Sequence, residues 1–178
     1  MNKIILILIT LISSCTTSVK TEEIKNEQKT QEKFKLAKSD YTILTYTPKW
    51  HWTFNNVKPS QLQESELIEI EEVLKSAIQK HNQTQKNQLI EHNKNNSDDP
   101  ITQTNYEVQL QGYMRQYVPV INNKGQKEVF INFFCDATDE KNWQTQLVQV
   151  EDGGNCYYSV KISMETKKYY EFEVNYSL

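Results

Sequence analysis

Two hydrophobic periodicities share this chain, and their order leaves few folds open. Leu67, Ile70, Val73, Leu74, Ala77 and Ile78 recur every three or four positions. That spacing gathers them on one face of a helix. Further along, the period drops to two. Tyr106, Val108 and Leu110 alternate with polar residues, as do Val129, Ile131, Phe133 and Cys135. Cys156, Tyr158, Val160 and Ile162 repeat the pattern, followed by Tyr170, Phe172, Val174 and Tyr176. Alternation marks strands with one buried face. Turn signals separate them at Asn122-Asn123-Lys124-Gly125, Glu151-Asp152-Gly153-Gly154 and Glu165-Thr166-Lys167. One long helix followed by a run of strands predicts an α+β domain. The helix covers one face of a four- or five-stranded antiparallel meander.

Local signals refine this outline. Ser60 and Gln63 have capping-box spacing ahead of the helix. Glutamates crowd its first half, and Lys75 and Lys80 follow, an order that suits the helix dipole. Residues 82–104 are mainly polar, and Leu89 and Ile90 either extend the helix or form a short second one. Tyr41 to Tyr46 has strand composition, and Pro48 and Pro59 bracket an irregular aromatic segment. Tyr113 to Ile121 reads as a strand after a bend at Gly112, and Pro119 predicts that this strand lies at an edge or ends there. Leu147 to Val150 reads as a further short strand. The order of elements is similar to that of cystatin-like and nuclear-transport-factor-like folds, a likeness of architecture that transfers no function.

The N-terminus carries an address. Lys3 supplies a positive charge, Ile4 to Ile12 is apolar except for Thr10, and Ser13, Ser14 and Cys15 follow. This is the layout of a secretory signal, with an apolar run too short to span a bilayer. Leu11-Ile12-Ser13-Ser14-Cys15 resembles the lipobox of bacterial lipoproteins. The resemblance implies cleavage before Cys15 and acylation of its thiol, with two or three acyl chains giving stable membrane attachment. The lack of an acidic residue at Thr16 points to the outer membrane within that family. The organisation expected is a signal peptide over 1–14, a lipid anchor and flexible tether over 15–39, and one α+β domain over 40–178. The tether is rich in Lys, Glu, Gln and Thr, with too few apolar residues to offset its ordering entropy. Lys20, Glu22 and Glu23 loosely resemble a lipoprotein surface-export signal, and a solvated linker is the plainer reading.

Composition removes several functions. The chain has 178 residues, a net charge of −3 and 37% hydrophobic residues. That balance argues against a polycationic nucleic-acid binder and against attachment by charge alone to anionic lipid. Arg115 is the only arginine, so an arginine-cluster phosphate site is excluded. No phosphate loop, nucleophile elbow, HExxH or CxxC spacing occurs. No cofactor and no metal is expected.

Few residues remain that could carry chemistry. Cys135 and Cys156 are a possible disulfide. An oxidising compartment favours pairing, whereas a simple meander places a strand between them, about 9–10 Å of lateral separation, which favours two buried thiols. His51, His81 and His92 read as surface or packing residues, since no three ligands converge. Asp136, Asp139, Glu140 and Asn142 form an acidic loop that matches calcium-loop patterns poorly. Trp50, His51 and Trp52 form a possible binding surface, or else cap an open end of the core. Arg115 either pairs with an acidic residue on a neighbouring strand or binds a ligand carboxylate.

A second resemblance covers roughly the last 70 residues. Tyr113-Met114-Arg115-Gln116-Tyr117, Asn132-Phe133-Phe134-Cys135 and Asp152-Gly153-Gly154-Asn155-Cys156 are similar to a group of small bacterial lipoproteins. It implies the compartment and no reaction. The function expected is therefore a membrane-anchored, non-enzymatic binding or interaction module, with an envelope protein as one partner and no nucleic acid. An enzyme with a pocket on the concave sheet face, or an inhibitor or immunity-type protein, are the alternatives.

Overall fold

In the computed structural model, residues 36–135 and 141–175 are described, and all of them fall within one contact unit, Glu32–Leu178. The leader, Cys15, the tether up to residue 35, the acidic-loop residues Asp136, Asp139 and Glu140, and Tyr176 lie outside the described residues. The elements run β1 (Tyr41–Ile43), β2 (Lys58–Pro59), α1 (Glu64–Asn95), β3 (Met114–Ile121), β4 (Lys127–Phe134), β5 (Tyr157–Ser163) and β6 (Lys168–Val174), with short 3-10 turns at Pro48–Trp50 and Gly154–Cys156.

The β3–β6 meander forms as the alternation predicts, each neighbour antiparallel. The sheet order is β1-β3-β4-β5-β6, with β2 also paired to β3. The fold is thus α+β with a helix on a mostly antiparallel sheet. The sheet has six strands rather than four or five, and β1 joins it parallel to β3. Gly125 (φ 78°) closes the β3–β4 hairpin, with its N–H donating to Asn122 O. Gly153 is required for another reason. A Cβ at that position would collide with the Tyr157 ring.

Pro119 does not mark an edge, because β3 is central. It pairs with Val129 of β4 on one side. On the other side β1 ends opposite Tyr117, and β2 runs from Lys58 opposite Ile121 to Pro59 opposite Val120. The carbonyl of Pro119 accepts from Ser60 N–H at 3.0 Å, so its missing donor faces the break between these two short strands. No ladder bond to β4 is lost.

The helix starts one turn later than Ser60 predicts. Gln63 is the N-cap, and its N–H donates to Glu66 Oε2 at 2.9 Å. Leu89 and Ile90 extend this helix rather than form a second one. Leu67, Ile70, Leu74, Ala77 and Ile78 are buried, and Gln85 is the last buried position. The helix of 32 residues is about 48 Å long, so its final turns outrun the sheet.

Both faces of the sheet are covered. Tyr117, Val129, Ile131, Phe133, Tyr158 and Val160 pack with the buried stripe of α1. On the opposite face Val118, Val120 and Phe130 pack against Leu44, Tyr46 and Phe54, with Trp50, Val57 and Leu147 partly buried around them.

Two predicted strands are not strands. Residues 106–110 run extended beside the helix and take their backbone bonds from side chains. His81 Nε2 donates to Tyr106 O (2.7 Å), Asn155 Nδ2 to Glu107 O (2.9 Å) and Asn82 Nδ2 to Val108 O (2.8 Å). Tyr158 Oη donates to Gln109 O (2.8 Å) and Arg115 Nη2 to Leu110 O (2.6 Å). Five successive carbonyls are satisfied without a partner strand, and Val108 N–H donates back to Asn82 Oδ1. Residues 147–150 behave likewise on the other face. Gln116 Oε1 accepts from Val148 N–H (2.8 Å), and Asn132 Nδ2 donates to Val148 O (2.9 Å).

Because residues 147–150 stay out of the sheet, β4 and β5 are direct neighbours. Cys135 and Cys156 then face each other and form a disulfide with Cα atoms 5.1 Å apart. The expected intervening strand does not exist, and the reading as two buried thiols is corrected.

Candidate functional site

The sequence-derived site residues do not converge. Arg115 lies under α1, only 1% exposed. It pairs with Glu71 of the helix rather than with a neighbouring strand, and its guanidinium sits 5.2 Å from the centre of the Phe133 ring. Burial raises the Glu71 carboxyl above its ordinary value, against the pull of Arg115. Glu71 is only partly buried, but Arg115 itself is enclosed and so closed to a ligand carboxylate. Trp50, His51 and Trp52 lie on the opposite face of the sheet. Trp50 is partly buried against the second core. His51 is exposed. Trp52 is 45% exposed and meets Phe130 edge to face at 5.7 Å. The two indoles therefore differ in their surroundings. One indole closes the core and the other stays open to solvent.

The histidines do not meet. His81 stacks on Phe172 at 4.4 Å while holding Tyr106 O, a packing role. Among the described residues no group of three His, Cys, Asp or Glu side chains could hold a metal ion.

What the structure does bring to Trp50 is a second loop. Residues 143–148 lie over β3, tied down by the Gln116 amide, which donates to Trp143 O and Gln146 O. Thr42 Oγ1 donates to Gln144 O at 3.2 Å. Between this loop and the Trp50 segment lies a cleft of about 390 Å³, within the size range of small-ligand sites. Ile43, Leu44 and Trp50 supply its apolar lining. Thr45, Thr47, Lys49, Gln144, Thr145 and Gln146 supply its polar lining. Thr47 Oγ1 is buried there with no hydrogen-bond partner, an unusual state for a buried hydroxyl. Of these residues the sequence singled out only Trp50. Thr47 and Gln144 are almost a hundred positions apart, so no local pattern could join them.

Other hollows exist. Val73, Ser76, Lys80, Lys167, Lys168 and Tyr169 line one of about 340 Å³. Its lysines are surface groups, Lys167 is paired with Glu69 at 3.0 Å, and Lys80 lies over the Tyr169 ring. Comparison with protein-family models, with curated proteins and with solved structures finds no match to this chain.

Proposed function

We propose that this chain is an exported, lipid-anchored binding protein. It is tethered through Cys15 at the outer membrane, carries no catalytic step of its own, and holds its ligand in the cleft beside Trp50. The observation that carries the reading is the cleft. A half-buried indole and a buried hydroxyl without a partner face the same hollow, and a rigid backing holds both walls. Core packing fixes the Trp50 wall, and Gln116 and the Cys135–Cys156 bond fix the other. The disulfide supports the compartment, since such bonds persist where the surroundings are oxidising. With both sheet faces filled by core, the open surface of this domain lies at the rim of the sheet, not over its centre.

Ile43, which lines the cleft, is 39% exposed, and Trp52 is 45% exposed. Exposed large hydrophobics of this kind favour, as the second reading, a protein partner of the inhibitor or immunity type over a small ligand. In-cell photo-crosslinking separates the two. A photoreactive residue is placed at Gln144 in the full lipidated chain, with the exposed helix position Gln79 as control. A stoichiometric protein adduct from 144 alone, lost in Trp50→Ala and Trp52→Ala, supports the protein-partner reading. A small-molecule adduct from 144 alone supports the ligand reading. Equal adducts from both positions, or none from either, would remove the cleft as a binding site.

A further inference from the structure

We infer that the cleft beside Trp50 takes an uncharged, hydroxyl-rich ligand, a saccharide chain. This rests on the binding reading given above and names its ligand class.

Of the polar side chains that line the cleft, the Thr145 hydroxyl donates to Asn142 O at 3.2 Å, and four others have no partner among the described residues. Thr47 Oγ1 is buried and unbonded. The side-chain amides of Gln144 and Gln146 and the hydroxyl of Thr45, all on exposed residues, make no hydrogen bond among the described residues; Gln144 and Gln146 are engaged through their backbone alone, by both carbonyls and by the Gln146 N–H, which donates to Asn142 O. Two hydroxyls and two primary amides offer both donors and acceptors at each position. A ligand that presents only acceptors, such as a phosphate, would leave the amide carbonyls idle. A fatty chain would leave all four groups unsatisfied, at a cost of roughly 1–3 kcal/mol for each one buried. A sugar hydroxyl both donates and accepts, so it matches amides and hydroxyls alike.

Charge points the same way. The lining includes one ammonium, Lys49, and no carboxylate. Lys49 forms no ion pair among the described residues. An anionic ligand of any strength calls for more than one cation, and the chain's only guanidinium is buried on the far side of the sheet. The apolar part of the lining also fits. Trp50 presents a large aromatic surface flanked by Ile43 and Leu44, and the C–H face of a pyranose ring is the apolar side of an otherwise polar molecule. Aromatic rings with a polar surround suit ligands that are apolar at one side and wet at the other. The cleft volume of about 390 Å³ sits at the small end of the usual site range, the scale of a short saccharide rather than a folded partner.

The test uses the full lipidated chain in a sugar-free detergent, with amide side chains labelled for NMR. Maltotetraose, cellotetraose and chitotetraose are the probes. The expected result is a saturable shift of the Gln144 and Gln146 side-chain amides with at least one tetramer. Gln144→Ala and Thr47→Val should each weaken that binding about tenfold or more, while Lys80→Gln, in the lysine hollow, leaves it unchanged. No shift with any tetramer overturns the saccharide assignment, as does a shift that survives both cleft variants. The two levels fail separately. A protein adduct from position 144 with no saccharide response leaves the binding reading standing and removes the ligand class. Loss of both results removes both.

Discussion

Arg115 of β3 and Glu71 of α1 form an ion pair beneath the helix, with Arg115 only 1% exposed. The same guanidinium donates to Leu110 O, so one side chain joins the sheet, the helix and the extended 106–110 segment. Removing it leaves the Glu71 carboxylate buried without its counter-charge. Arg115→Met should cost about 3 kcal/mol at neutral pH. The cost depends on pH with a definite sign. Burial already lifts the Glu71 carboxyl above its ordinary value of 4.5, and losing Arg115 lifts it further. A carboxyl raised in the folded state loses stability as pH climbs above that ordinary value. The penalty is therefore small near pH 4 and grows toward neutrality. Urea unfolding at both pH values measures it. A penalty that grew on acidification would contradict the assignment. Adding Glu71→Leu to Arg115→Met should recover part of the loss, because the pair is then replaced and not broken.

Asn82 clamps both backbone groups of Val108, whose own exposure is 1%. Asn82→Ala leaves a buried N–H and a buried C=O without partners. The expected loss is about 2 kcal/mol or more. Hydrogen exchange should show the 106–110 amides opening first, ahead of β3 and β4. If those amides kept their protection, side chains would not be what holds the segment.

These two relationships show where the sequence stops being legible. The stripe from Leu67 to Ile78 and the alternation in β4, β5 and β6 were readable because burial of one face imposes a period on the chain. Tyr106, Val108 and Leu110 alternate for the same reason, yet make no ladder. Period two reports that one side is buried, not that a strand lies alongside. Its partners, His81, Asn82, Arg115, Asn155 and Tyr158, come from three places in the chain, two of them distant. The misread strand at 147–150 then carried the wrong separation for the two cysteines. The cleft was illegible for the same cause, since Trp50 and Gln144 become neighbours only after Gln116 folds the later loop onto β3.

Gln116 is fully buried and makes four bonds, with Trp143 O, Gln146 O, Val148 N–H and Asn132 Nδ2. Gln116→Leu fills the same space and removes them all. Stability should fall by about 2 kcal/mol or more, and the 143–148 amides should exchange faster. The residue is not itself part of the cleft lining and reaches it through the backbone of Gln146, so any weakening of ligand binding in this variant is positional. Unchanged exchange across 143–148 would show that the loop is held by other means.

The Cys135–Cys156 bond spans a sequence separation of 21. Closing a loop of that length constrains the unfolded chain by about 3 kcal/mol. Reduction, or Cys135→Ser with Cys156→Ser, should lower the urea midpoint by the corresponding amount without changing the folded secondary structure. An unchanged midpoint under reducing conditions would mean that the bond adds nothing the strand pairing does not already supply.

The account as a whole depends on export and on attachment through Cys15. The Cys135–Cys156 bond supports that proposal, since disulfides persist in oxidising compartments. The direct measurement is membrane fractionation of the full chain beside Cys15→Ala, with metabolic labelling by palmitate. The account predicts that the wild-type chain sediments with outer membranes and carries label, and that Cys15→Ala is unlabelled and leaves the membrane fraction. An unlabelled wild-type chain, or a Cys15→Ala chain that still sediments with the membranes, would contradict it.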